Sequence, residues 1–135
     1  MKGVIALWGG ISDLSIIKPD SQTEILLIHG TKDQIIPIGN ASVFSFGKRI
    51  WFMPQIYGSA SIHEYLNEIG KTHDYYSYSG KGHAFHSDGR ISIRELRRKK
   101  FPGKDWSSVY DLGLDFLLRH SREKERWRRI GAAAR

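Results

Sequence analysis

The chain has 135 residues, 40% of them apolar and 12% aromatic, which suits one globular domain with a real core and excludes a disordered chain. It contains no cysteine, which excludes disulfides, thiolate chemistry and cysteine-based metal sites. The net charge of +7 is uneven: residues 119–135 hold seven Lys or Arg against two Glu, and the other 118 residues hold 14 basic against 12 acidic side chains, so the basic average is no nucleic-acid signature.

Gly3 to Trp8 reads as a first strand, continuously apolar and ended by Gly9-Gly10. The run is too short for the apolar region of a signal peptide, and no stretch approaches the roughly 20 residues of a membrane span. A soluble chain is therefore expected, with its compartment left open. Ile11 to Thr23 carries Ser, Asp and Pro punctuation and reads as a loop. Glu24 to His29 is a second strand, again apolar without alternation, as in strands covered on both faces. Gly30-Thr31-Lys32-Asp33 is the turn at its end, with Pro37 shortly after.

Gly39 to Phe46 reads as a short helix, and Gly47 to Tyr57 has no period but holds Ile50, Trp51, Phe52, Met53 and Ile56. Ser59 to Ile69 is a stronger helix, because Ile62, Tyr65, Leu66 and Ile69 form one apolar stripe. Gly58-Ser59 supplies its N-terminal cap and Gly70 its stop. His73 to Tyr78 is a third strand, and Gly80-Lys81-Gly82 is the turn that delivers His83. Residues 87–104 are a basic, polar loop or short helix. Asp105 to Leu118 is the last helix, capped by Asp105, with Val109, Leu112, Phe116 and Leu117 on its buried face. Residues 119–135 form a basic helical tail that frays at Gly131-Ala132-Ala133-Ala134. Strands alternating with helices predict an α/β fold of about three parallel strands with flanking helices.

In open parallel sheets the functional crevice lies at the C-terminal ends of the strands. Asp33 and His83 both follow strands there, separated by one crossover helix, which predicts neighbouring strand ends. A carboxylate beside an imidazole fixes its tautomer and stabilises the imidazolium formed during proton transfer. The bland readings remain beside this one. Asp33 is also placed to bond its own turn backbone, and His83 to be a loop histidine between small residues.

The segment Ile25-Leu26-Leu27-Ile28-His29-Gly30-Thr31-Lys32-Asp33-Gln34-Ile35-Ile36-Pro37 resembles the acid-bearing segment of α/β-hydrolases. Gly80-Lys81-Gly82-His83-Ala84-Phe85 resembles their histidine-bearing segment, and Gly3 to Asp13 the strand after their nucleophile helix. Tyr57-Gly58-Ser59, opening a helix, is similar to esterases of the carboxylesterase and dienelactone-hydrolase-like branch. The resemblance spans roughly residues 1–120. It implies the C-terminal portion of an α/β-hydrolase fold over residues 1–118, with Asp33 as triad acid and His83 as triad base. It implies a small-molecule ester substrate and no cofactor or metal. The family's serine stands in a G-x-S-x-G elbow ahead of the acid and the histidine. No G-x-S-x-G occurs in this chain, so these residues alone are expected to be inactive.

Ser59 and Ser61, in Gly58-Ser59-Ala60-Ser61, are read as helix-capping residues, with a nucleophilic role as the sharper alternative. His29 resembles the family's strand-end histidine and reads as structural. His83, His86 and Asp88 have a spacing too common in loops to mark a metal site. Asp13 either touches the pocket or caps its loop. Trp51, Phe52 and Met53 either line an acyl pocket or pack in a core. Arg94, Arg97, Arg98, Lys99 and Lys100 read as a solvated face or an anion site. Arg126, Trp127, Arg128 and Arg129 read as a solvated helix extension or a contact for phosphate or headgroups. The alternative to an enzyme is a non-catalytic interaction module, whose exposed sheet edge pairs with an N-terminal-half chain or with a second copy.

Overall fold

The computed structural model describes residues 2–44, 52–83 and 104–120. Three strands form a parallel sheet: β1 (Lys2–Leu7), β3 (Thr23–Gly30) and β6 (Asp74–Tyr78), in the order β1-β3-β6. The register sets Leu7 beside Ile28 on one side and Gly30 beside Tyr78 on the other. With helices on both faces, this is the expected α/β architecture.

The apolar run of β3 is explained by its central place, since Ile25 to Gly30 are all buried. Its side chains alternate between two cores. Leu26 and Ile28 pack with Val109 and Phe116 of the last helix, α2 (Lys104–His120). Ile25 and Leu27 pack on the other face with Ile62 and Leu66 of α1 (Ser59–Glu68). Full burial of a side chain such as Phe116 contributes about 3 kcal/mol.

The stripe predicted for α1 is correct, with Ile62 and Leu66 buried and Tyr65 and Ile69 half-buried. Its end is a Schellman motif: Gly70 has φ of 65°, its N–H donates to the Asn67 carbonyl, and the Lys71 N–H donates to the Leu66 carbonyl. Its start matches expectation in place but not in chemistry. Gly58 is the N-cap, no side chain caps the helix, and the Ala60 N–H donates instead to the Ile38 carbonyl (2.8 Å).

Two further expectations are corrected. The segment predicted as a helix over Gly39–Phe46 contains a strand, β4 (Asn40–Ser42). It joins β5 (Gln55–Gly58) and β2 (Gly10–Ile11) in a small antiparallel sheet of order β2-β5-β4. Pairing of Asn40 with Tyr57 and Ser42 with Gln55 overrides the weak local helical pattern. On α2, Val109 and Phe116 are buried and Leu112 is half-buried, but Leu117 is 54% exposed. One residue past Phe116 turns a side chain about 100° round the helix, away from the sheet.

Between β1 and β3, a 3₁₀ turn over Leu14–Ile16 is capped by Asp13, whose carboxylate accepts from the Ser15 N–H (2.8 Å). Asp13 therefore has the loop-capping role. Helix α2 runs to His120, where Arg119 bonds Asp74 of β6 (2.6 Å) and Asp115 (2.9 Å). No helix among the described residues is long and apolar enough to cross a membrane. Trp51, His86, Asp88, the Arg94–Lys100 cluster and the tail beyond His120 lie outside the described residues.

Candidate active site

The Asp33 loop leaves the C-terminal end of β3, and the His83 loop leaves the adjacent end of β6. Hydrogen bonds hold the two loops together. The Thr31 N–H donates to the Tyr78 carbonyl (3.0 Å), the Lys32 N–H to the Lys81 carbonyl (2.8 Å), and the Gly80 N–H to Thr31 Oγ1 (2.8 Å). Gly30 is needed for this approach, because a Cβ there would lie 2.3 Å from the Lys81 carbonyl oxygen.

The far side of the Asp33 loop is tied to α1 in the same way. The Gly58 N–H donates to the Gly39 carbonyl (2.9 Å), and a Cβ on Gly58 would lie 1.9 Å from the Pro37 carbonyl oxygen. Two glycines thus let three backbone segments converge on Asp33.

The Asp33 side chain has no exposed surface. Its Oδ1 accepts from the N–H groups of Ile35 and Ile36, both at 2.9 Å. Its Oδ2 accepts from His83 Nδ1 (2.8 Å) and lies 3.1 Å from His29 Nε2. Both sequence readings of Asp33 therefore hold at once, one oxygen closing the turn and the other serving histidines. Burial alone pushes the carboxyl up, but bonds from His29, His83 and the two backbone N–H groups outweigh it. The carboxyl sits below the ordinary aspartate value. An ionised Asp33 has no proton to give, so the proton of this bond belongs to His83 Nδ1. In the neutral ring that leaves the lone pair on Nε2, the atom a general base uses.

The His83 side chain is 22% exposed. Trp8 meets it edge-on, with ring centroids 6.2 Å apart. Trp8 follows β1 in the left-handed region, at φ of 42°, which is uncommon for a bulky residue and occurs where surrounding structure imposes it. Its N–H donates to the Ile28 carbonyl (2.6 Å). The sequence marked Trp8 only as a strand residue, and nothing in its local pattern announces this contact.

Sequence reasoning also missed the pairing behind Asp33. His29 is fully buried on β3, and Ser59, equally buried, bonds its Nδ1 at 2.8 Å. Ser59 therefore spends its hydroxyl on His29 and caps nothing. Its burial removes it as a nucleophile within reach of a substrate. Of the residues considered for an acyl pocket, Phe52 is exposed and Met53 half-buried.

A second histidine pair lies one turn further along α1. His63 Nδ1 and His73 Nε2 are 2.6 Å apart, His73 Nδ1 bonds the Lys71 carbonyl (2.8 Å), and His63 stacks on Tyr75. Among the described residues no cluster of three or more His, Asp or Glu could hold a metal ion. A shallow groove of about 450 Å³ runs along α2 beside Ser108, Asp111, Leu112 and Asp115. None of these residues belongs to the Asp33–His83 network, so the groove does not mark the chemistry. Comparison with known protein families, curated proteins and solved structures returns no match to this chain.

Proposed function

We propose that the chain is the acid- and base-bearing part of a serine hydrolase acting on carboxylic esters, as its resemblance to α/β-hydrolases implies. The observation that carries this reading is the 2.8 Å bond between His83 Nδ1 and a buried Asp33 at adjacent ends of parallel strands. In this reaction His83 Nε2 takes the proton of a serine hydroxyl as its oxygen bonds the ester carbonyl carbon. The tetrahedral intermediate then expels the alcohol oxygen, which receives that proton from Nε2. Water repeats both steps to release the acid. Asp33 stays ionised throughout and stabilises the imidazolium.

The reading assigns the serine and its oxyanion-binding N–H groups to polypeptide other than these 135 residues, because they contain no G-x-S-x-G. Hydrolysis of p-nitrophenyl acetate by the 135-residue chain alone should stay at background. A robust rate lost in both Asp33→Asn and His83→Ala would overturn that assignment. The coding DNA upstream of Met1 tests the family itself. An in-frame strand, G-x-S-x-G turn and helix is expected, and neither that nor a partner chain carrying one would overturn the reading.

A second reading, an interaction module, rests on the sheet edge. The outer edge of β1 pairs with no strand among the described residues, Val4 is half exposed, and Tyr110, Leu114 and Leu117 form an exposed apolar row on α2. Sedimentation over a concentration series tests it, with self-association expected. A monomer at every concentration that captures no complementary hydrolase half overturns it.

A further inference from the structure

We propose that His29 is a positioning residue for the Asp33–His83 pair, held in a single tautomer by Ser59 and holding His83 in turn. His29 Nε2 faces two acceptors, Asp33 Oδ2 and the Ile36 carbonyl, both at 3.1 Å. Neither has a proton to offer while Asp33 is ionised, so Nε2 must carry one. The neutral ring then has its lone pair on Nδ1, where the Ser59 hydroxyl donates at 2.8 Å. The order is fixed along the chain: Ser59 donates to His29, the single Nε2–H of His29 lies between the Ile36 carbonyl and Asp33 Oδ2, and His83 donates to Asp33.

Burial explains why this chain exists as a unit. Ser59 and His29 have no exposed surface, and a hydroxyl or imidazole buried without a partner destabilises the fold. Each is the other's partner. His29 also acts on Asp33 where backbone cannot. Ile35 and Ile36 fix Oδ1, and only the two histidines hold Oδ2 among the described residues. Without the His29 contact only the two backbone bonds to Oδ1 and His83 itself resist rotation about Cβ–Cγ, and the aim of Oδ2 at His83 Nδ1 loosens. The order set at Ser59, which the sequence read as a helix cap, thus reaches the imidazole that does chemistry.

The tautomer relay stands on geometry, and its catalytic meaning rests on the hydrolase reading. The test is ¹⁵N NMR of the ring nitrogens of His83 in the 135-residue chain, above the pH range where histidines titrate. The wild type should show a single Nδ1–H form. His29→Leu should convert it to a mixture of both tautomers. His29→Gln, whose amide can donate from the position of Nε2, should restore the single form. Ser59→Ala leaves the His29 ring without its anchor and should move His83 in the same direction by less, so it carries the test if His29→Leu does not fold. Unchanged His83 nitrogens in folded His29→Leu, or in Ser59→Ala where that variant stands in, would overturn the proposal, because a purely structural histidine alters only stability. Such a result would leave the ester-hydrolase reading untouched, and an absence of ester hydrolysis would leave the relay untouched.

Discussion

Helix α1 carries two histidine networks one turn apart, and only one of them is built around a charge. Near its start, Ser59 meets His29 and leads to Asp33 and His83. Further along, His63 meets His73, and the pair ends on the Lys71 carbonyl and the Asn67 amide. In the second network every ring nitrogen has a neutral partner. In the first, an ionised carboxylate takes donors from both sides and forces the basic nitrogen of His83 away from itself. The difference shows that proximity of histidines does not make a site. In the first network a buried anion sets the direction of each bond, and two glycine contacts and four donors keep that anion in place.

The comparison can be broken most severely at the backbone. Gly58→Ala places a methyl group against the Pro37 carbonyl, so the Asp33 loop must move, and urea denaturation should show a loss of about 3 kcal/mol. Asp33→Asn should cost about 2 kcal/mol by the same measurement, because a neutral amide presents donors to His29 where the carboxylate accepted.

That variant also sharpens the comparison through pH. The folded Asp33 carboxyl titrates below its unfolded value of about 4, so its stabilisation is complete above that value. It is lost as pH falls through the folded value. Thermal midpoints should therefore decline in acid for the wild type and decline less steeply for Asp33→Asn. The smallest effect belongs to the second network. His63→Phe keeps the stacking on Tyr75 and should change stability by less than about 1 kcal/mol, with the His83 ring nitrogens unmoved by NMR. A large loss there would erase the distinction between the two networks.

The long apolar strands and the meeting of Asp33 with His83 at adjacent strand ends were legible because burial on both faces and turn glycines leave strong marks in sequence. The parallel order follows from the same alternation of elements. The small antiparallel sheet was not legible. Asn40–Ser42 is three residues long, carries no period, and is a strand only because Gln55–Tyr57 lies beside it. Leu117 misled because an apolar residue next to Phe116 looks like core until the angle of the helix is known. Ser59 misled for a related reason. A serine at a helix start satisfies the capping rule, and only the position of His29 thirty residues earlier gives its hydroxyl another use.

The alternation of β3 gives the molecule a check on its own assembly. Ile25, Leu27 and His29 face α1, and Leu26 and Ile28 face α2. A slip of one residue in one direction would bring Ile28 to the Ser59 hydroxyl, and a slip in the other would drive an imidazole among Val109 and Phe116. Both errors strand polar groups, so a mispaired strand is rejected at the site as well as in the core. His29 thus ties the accuracy of strand pairing to the readiness of the site: a chain that has aligned Asp33 with His83 has also, by the same contact, read its central strand in the correct frame.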